Sequence, residues 1–184
     1  LDALGKVRIK SLDGTAYGDN GIYNVDDGIL VLTGSKPVKL ITSTDLILAE
    51  RQLEYWEKRQ MAVARGNASA KRGEKILHAE VLAAYFKRNR KGENELHRVE
   101  AFDKVKVITP KDTAFSHRGI YNVKSGIATL TGDVKILRAG NTLNGCSAEV
   151  NLNTGISRLR SCKMDTNGGT NRVRGVLRPR KRDK

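Results

Sequence analysis

The sequence predicts an all-β, antiparallel fold, and three observations predict it. The first is a repeat. Asp2-Ala3-Leu4-Gly5-Lys6-Val7-Arg8-Ile9 aligns with Glu100-Ala101-Phe102-Asp103-Lys104-Val105-Lys106-Val107, and Gly21-Ile22-Tyr23-Asn24-Val25 with Gly119-Ile120-Tyr121-Asn122-Val123. Thr15-Ala16-Tyr17 sits over Thr113-Ala114-Phe115, and Leu32-Thr33-Gly34 over Leu130-Thr131-Gly132, all in one register. A register held from Asp2 to Gly34 means that one structural unit is used more than once. The second observation is a period of two. Lys6-Val7-Arg8-Ile9-Lys10 and Lys104-Val105-Lys106-Val107 alternate basic and apolar residues, which places apolar side chains on one face of a strand and charge on the other. The third is punctuation. Asp13-Gly14, Asp26-Asp27-Gly28, Lys124-Ser125-Gly126 and Asn153-Thr154-Gly155 have hairpin-turn compositions, with glycine where φ must be positive. Short strands so spaced indicate a sandwich, a barrel or a jelly roll.

Taken along the chain, the first copy reads as strands as far as Gly34. The stretch from Leu46 to Ala64 is rich in Leu, Ala, Glu, Gln, Lys and Arg, and propensity alone would make it a helix. Its counterpart in the second copy holds Asn144-Gly145 and Asn153-Thr154-Gly155, which would break a helix. The repeat therefore predicts strands here, with a turn near Glu57-Lys58. A weaker copy follows: Ala64-Arg65-Gly66-Asn67-Ala68 resembles Ala3-Leu4-Gly5-Lys6-Val7. The order is then a long copy, a short copy and a long copy, with Ala148-Glu149-Val150-Asn151-Leu152 as a late alternating strand. Residues 1–171 form the array. Arg172 to Lys184, with seven basic residues and one acid, reads as a mobile basic tail. The chain begins at Leu1 without a Met or a signal-like segment, which reads as the loss of a preceding piece.

The formal net charge of +14 points to an anionic partner: nucleic acid, a membrane surface or a phosphorylated lipid. No apolar run approaches the roughly 20 residues of a membrane-spanning helix. His78, His97 and His117 fit no metal-ligand spacing, and no phosphate loop, nucleophile elbow or dinucleotide fingerprint occurs. The sequence thus predicts no enzyme, no cofactor and no metal.

The order of the motifs is familiar. Gly119-Ile120-Tyr121-Asn122-Val123, Leu130-Thr131-Gly132-Asp133-Val134-Lys135-Ile136, Leu143-Asn144-Gly145 and Ala148 to Gly155 resemble the OstA/LptA family of periplasmic lipopolysaccharide-transport proteins. Leu53-Glu54-Tyr55-Trp56, Ala62 to Ala68 and Val173-Arg174-Gly175-Val176 are similar to the same family's other strands. The resemblance covers nearly the whole chain. It implies an antiparallel jelly roll left open along one side, with an apolar groove inside. It implies a periplasmic location, and lipopolysaccharide as ligand, carried between the membranes as part of a protein bridge. Other lipopolysaccharide-transport proteins of the two membranes would be its partners, and head-to-tail self-association would extend it.

The apolar members of the alternating strands are the candidate groove: Val7, Ile9, Tyr23, Val25, Leu30, Leu32, Val38, Leu40, Val105, Val107, Tyr121, Val123, Leu130, Val134, Ile136, Val150 and Leu152. A membrane-anchored relative of the bridge and a basic β module that binds nucleic acid are the alternatives. The second would interleave aromatic and basic residues on one face, whereas Tyr23 and Tyr121 fall in step with the apolar set, so nucleic acid is not the expected partner. Cys146 and Cys162 each stand eight residues from Thr154. Across a hairpin centred there, in an oxidising compartment, they would form a disulfide.

Overall fold

The computed structural model describes residues 1–11, 14–90, 92, 94–161 and 173–176. The strands of the first copy are β1 (Asp2–Lys10), β2 (Gly14–Asn24), β3 (Ile29–Thr33), β4 (Val38–Thr42), β5 (Asp45–Ala49) and β6 (Gln52–Trp56). A single turn of 3-10 helix, Glu57–Arg59, leads into β7 (Met61–Arg72) and β8 (Lys75–Arg88). The second copy supplies β9 (Asn94–Ile108), β10 (Asp112–Asn122), β11 (Ile127–Arg138) and β12 (Asn141–Asn151), followed by β13 (Ser157–Arg160) and β14 (Arg174–Val176). All of them join one antiparallel sheet of 14 strands. The helix-forming stretch is strand, as the repeat requires, and its turn falls at Glu57–Arg59. Pairing on both sides outweighs local helix propensity here.

What repeats is a kink. Two successive residues with positive φ interrupt the register at Gly5-Lys6 (φ 80 and 54), Gly66-Asn67 (83 and 42), Asp103-Lys104 (59 and 51) and Gly132-Asp133 (80 and 46). At each site two residues of one strand face a single residue of the next, the geometry of a β-bulge, which bends the strand. The bulges lie side by side across the ladder and fold the sheet along one line. In the second copy β11 and β12 run through this line unbroken. In the first copy the equivalent strands are cut there: β3 and β4 together stand for β11, and β5 and β6 for β12. Gly34 and Gly132 mark the same place, and the alignment holds up to it because Ser35-Lys36-Pro37 there replaces the single residue Asp133.

The fold line divides the sheet into two halves. One contains β3 and β6, with the bulge-to-end segments paired to them; the other contains β4 and β5. The inward residues of both halves form one apolar cluster, with Leu32, Val38, Val105, Leu130, Val134 and Ile136 nearly inaccessible to water. The result is a folded β jelly roll. The expected mobile tail begins differently: Arg174–Val176 is a strand, pairing with β12 through Thr142↔Val176 and Asn144↔Arg174. Arg172 and residues 177–184 lie outside the described residues.

Candidate lipid-binding interior

Cross-strand register sets which side chains meet. In the β4–β5 half, one inward row runs Ile9, Ala16, Leu40, Ile47, Ala70, Leu77, Val107, Ala114, Ile136, Leu143 and Gly175, strand by strand from β1 to β14. In the other half the row runs Ala3, Gly21, Leu32, Leu53, Ala64, Leu82, Ala101, Gly119, Leu130, Ala148 and Leu159. Neither contains a polar side chain. Alternation along each strand, multiplied across the ladder, thus produces two apolar tracks perpendicular to the strands.

The expected groove residues distribute as follows. Val7, Ile9, Leu32, Val38, Leu40, Val105, Val107, Tyr121, Leu130, Val134, Ile136, Val150 and Leu152 lie in the apolar cluster or pack on it. Tyr23 and Leu30 share an inward row with Tyr55 nearer the sheet margin. Val123 is half-buried just past β10, and Val25 is 64% exposed in the β2–β3 turn, away from the interior. Sequence reasoning missed the middle of the track: Leu53, Ala64, Ala68, Ala79, Leu82 and Ala101 are all buried. The signal was present, since Ala62, Ala64, Ala68 and Ala70 keep the period of two on either side of the Gly66-Asn67 bulge. Alanine is simply a weak hydrophobic marker.

The far margin of the β4–β5 half is charged, which the sequence did not disclose. Arg72 donates two hydrogen bonds to Asp45, each 2.6 Å, and Arg138 makes the same two-point contact with Asp112. Burial raises the Asp45 carboxyl pKa, but hydrogen bonds from Arg72 and Thr44 outweigh it and hold the group below the usual carboxylate range. Two cations on this margin reach the opposite half. Lys75 Nζ donates to the Leu152 carbonyl at 2.9 Å, and Arg138 donates to the Gly155 carbonyl at 3.0 Å and to Ser157 Oγ at 3.3 Å. These contacts tie the margins of the two halves together beside an apolar cleft walled by Val107, Leu130, Ile136, Val150 and Leu152. Among the described residues no three His, Cys, Asp or Glu side chains converge to hold a metal.

The sequence matches, over residues 46–156, the family described as LptA/(LptD N-terminal domain) LPS transport protein. The chain belongs to this family of lipopolysaccharide-transport proteins. The crystal structure of LptH, the LptA homologous periplasmic component of the conserved lipopolysaccharide transport device from Pseudomonas aeruginosa, has the same fold, with a TM-score of 0.60 and 19% identity. The match covers 73% of this chain and 95% of that one. No curated protein sequence matches.

Cys146 lies in β12, facing the Gly132-Asp133 bulge. The β12–β13 ladder pairs Ser147 with Arg160 and Val150 with Ser157, so its centre falls between Asn153 and Thr154. The symmetric centre at Thr154 is therefore off by half a residue, and the regular ladder stops at Arg160. Cys162 lies outside the described residues.

Proposed function

We propose that this chain holds the acyl chains of lipopolysaccharide between the two halves of its folded sheet and passes them along as one span of a periplasmic protein bridge. The observation that carries this reading is the pair of unbroken inward rows, apolar from one end of the sheet to the other. Burying one chain of about a dozen carbons gains on the order of 10 kcal/mol gross, at about 0.8 kcal/mol per methylene. The ties from Lys75 and Arg138 are worth about 1 kcal/mol each net. Acyl chains can therefore part the two margins and displace the packed side chains, while the phosphates stay beside Arg72, Lys75 and Arg138.

Open strand edges support the bridge. Among the described residues, β1 pairs only with β2 at one end of the array, and β13 and β14 pair only with β12 at the other. Exposed apolar residues gather at these ends: Leu1, Leu4 and Ile22 at one, Ile156 and Val176 at the other. Two unlike edges that pair form an open chain rather than a closed ring. Sedimentation that gives a monomer at every concentration, with and without lipid, rules this association out.

The binding site is tested at half-buried inward positions, because a carboxylate at fully buried Ile136 would threaten the fold itself. Leu77→Asp and Val107→Asp should each weaken lipopolysaccharide binding about tenfold or more, since a charge is costly against acyl chains. His78→Asp on β8 and Thr113→Asp on the neighbouring β10, both on the outward face, should leave it nearly unchanged. Equal effects from both pairs would remove the interior as the site.

A further inference from the structure

The two outward faces differ in a way that the interior does not explain. On the β3–β6 half, four arginines are matched by acids: Arg65 pairs with Glu54, Arg98 and Arg118 with Glu100, and Arg160 with Glu149. On the β4–β5 half there is no such matching. One outward row brings Arg8, Lys39, Lys106 and Lys135 into line, and the next adds Lys10 and Lys71. Neither row contains a carboxylate, and among the described residues none of these six cations makes an ion pair. Among the described residues the acids nearest to them in sequence stand off both rows: Asp133, two residues before Lys135, lies in the Gly132-Asp133 bulge 3.6 Å from His117 Nε2, Asp103 stands at the bulge before Lys106, and Glu74 at the turn after Lys71.

The second row also carries branched aliphatics outward. Ile41, Ile76, Ile108 and Leu137 share it with Lys10 and Lys71. The aromatic residues of the first row are engaged by cations. Tyr17 lies beneath Arg8 at 5.8 Å and Lys39 at 5.3 Å, and Phe115 beneath Lys106 at 5.7 Å. Basic and aromatic residues do interleave here, contrary to the sequence expectation. Their ring faces are nevertheless occupied, so a stacking platform for nucleobases is not what they offer. Unpaired cations beside outward aliphatics and aromatics are instead the composition of a surface that rests on lipid headgroups.

We propose that the outward face of the β4–β5 half docks on an anionic bilayer surface, with Arg8, Lys39, Lys106 and Lys135 against headgroup phosphates and the isoleucine row at the headgroup boundary. This face is separate from the interior, on the opposite side of the same strands. Each cation near such a surface contributes about fivefold in partitioning, so losing three lowers it about 100-fold.

The test is co-sedimentation of the full chain with vesicles of phosphatidylglycerol and phosphatidylcholine, against vesicles of phosphatidylcholine alone. Binding should require the anionic lipid and fall with salt. The triple variant Lys39→Glu/Lys106→Glu/Lys135→Glu should lose at least ~100-fold. The corresponding glutamine triple, which adds no new charge, should lose binding in the same direction. A triple with the same net charge on the other half and its turns, Lys87→Glu/Lys124→Glu/Arg158→Glu, should retain most of it. Leu77→Asp, inside the jelly roll, should bind vesicles as the parent does, which separates this surface from the cargo site. Equal losses in the two glutamate triples, absence of binding by the parent chain, or preference for a single-stranded DNA oligonucleotide over the vesicles would overturn the proposal.

Discussion

Lys75, at the turn between β7 and β8, reaches across the margin of the folded sheet and donates to the carbonyl of Leu152, at the far end of β12, 77 positions along the chain. It ties one half to the other where the apolar interior meets solvent. Lys75→Met should remove the tie at a cost of about 1 kcal/mol or less and speed the capture of a fluorescent lipopolysaccharide in stopped-flow mixing. A capture rate unchanged in a stably folded variant would mean that the margin is not where the ligand enters.

The bulges rest on backbone conformations that few residues adopt. A Cβ on Gly66 would lie 2.8 Å from Arg51 Cγ and 2.9 Å from its backbone nitrogen, at φ +83, whereas a Cβ on Gly5 meets nothing within 4 Å. Gly66→Ala should therefore destabilise by about 3 kcal/mol and Gly5→Ala by about 1 kcal/mol. At the equivalent position Asp103 already accepts a φ of 59, so Asp103→Gly should be neutral or stabilise by up to about 1 kcal/mol. Denaturant midpoints of the three variants check the ranking.

Acid should loosen the sheet through two carboxylates. Burial raises the Glu54 pKa, but hydrogen bonds from Arg65, Trp56 and Gln52 outweigh it and lower the net value, as Arg72 does for Asp45. A pKa lowered by folding gives stability that is full above the ordinary carboxylate value of about 4 and is lost as pH falls through the folded value. Melting temperature should thus drop below about pH 4, and Asp45→Asn with Glu54→Gln should flatten that drop while lowering stability at neutral pH.

Much of this fold was legible in the sequence because its signals are periodic. The repeat placed equivalent strands in the two long copies, and the alternation of Val7 with Ile9 and Val105 with Val107 placed the inward face. The repeat also overrode helix propensity between Leu46 and Ala64 correctly. What was not legible depends on pairing between distant strands. The ties from Lys75 and Arg138 join residues whose neighbours along the chain give no hint of them. The basic row from Arg8 to Lys135 exists only once the register is known. The alanine-lined middle of the track carried too little hydrophobic contrast to stand out.

The disulfide between Cys146 and Cys162 is the expectation that goes with the proposed periplasmic location. Closing a loop of about 15 residues should contribute about 3 kcal/mol in the chain-entropy model. Intact mass under non-reducing conditions should be two hydrogen atoms lighter than after reduction, and the reductant should lower the melting temperature. Two alkylatable thiols in the unfolded, unreduced protein would refute the pairing.

The central claim, that acyl chains lie between the two halves, can be read from tryptophan quenching. Trp56, the only tryptophan, is on the outward face beneath Arg59, 4.8 Å from the ring centre, and one residue from inward-facing Tyr55. Tyr121 faces inward on β10, packed against the apolar cluster. Lipopolysaccharide with brominated acyl chains should quench a tryptophan placed by Tyr121→Trp in a Trp56→Phe background, and leave the parent's Trp56 emission essentially unchanged. Quenching of Trp56 with no quenching at position 121 would place the chains outside the jelly roll and contradict the account.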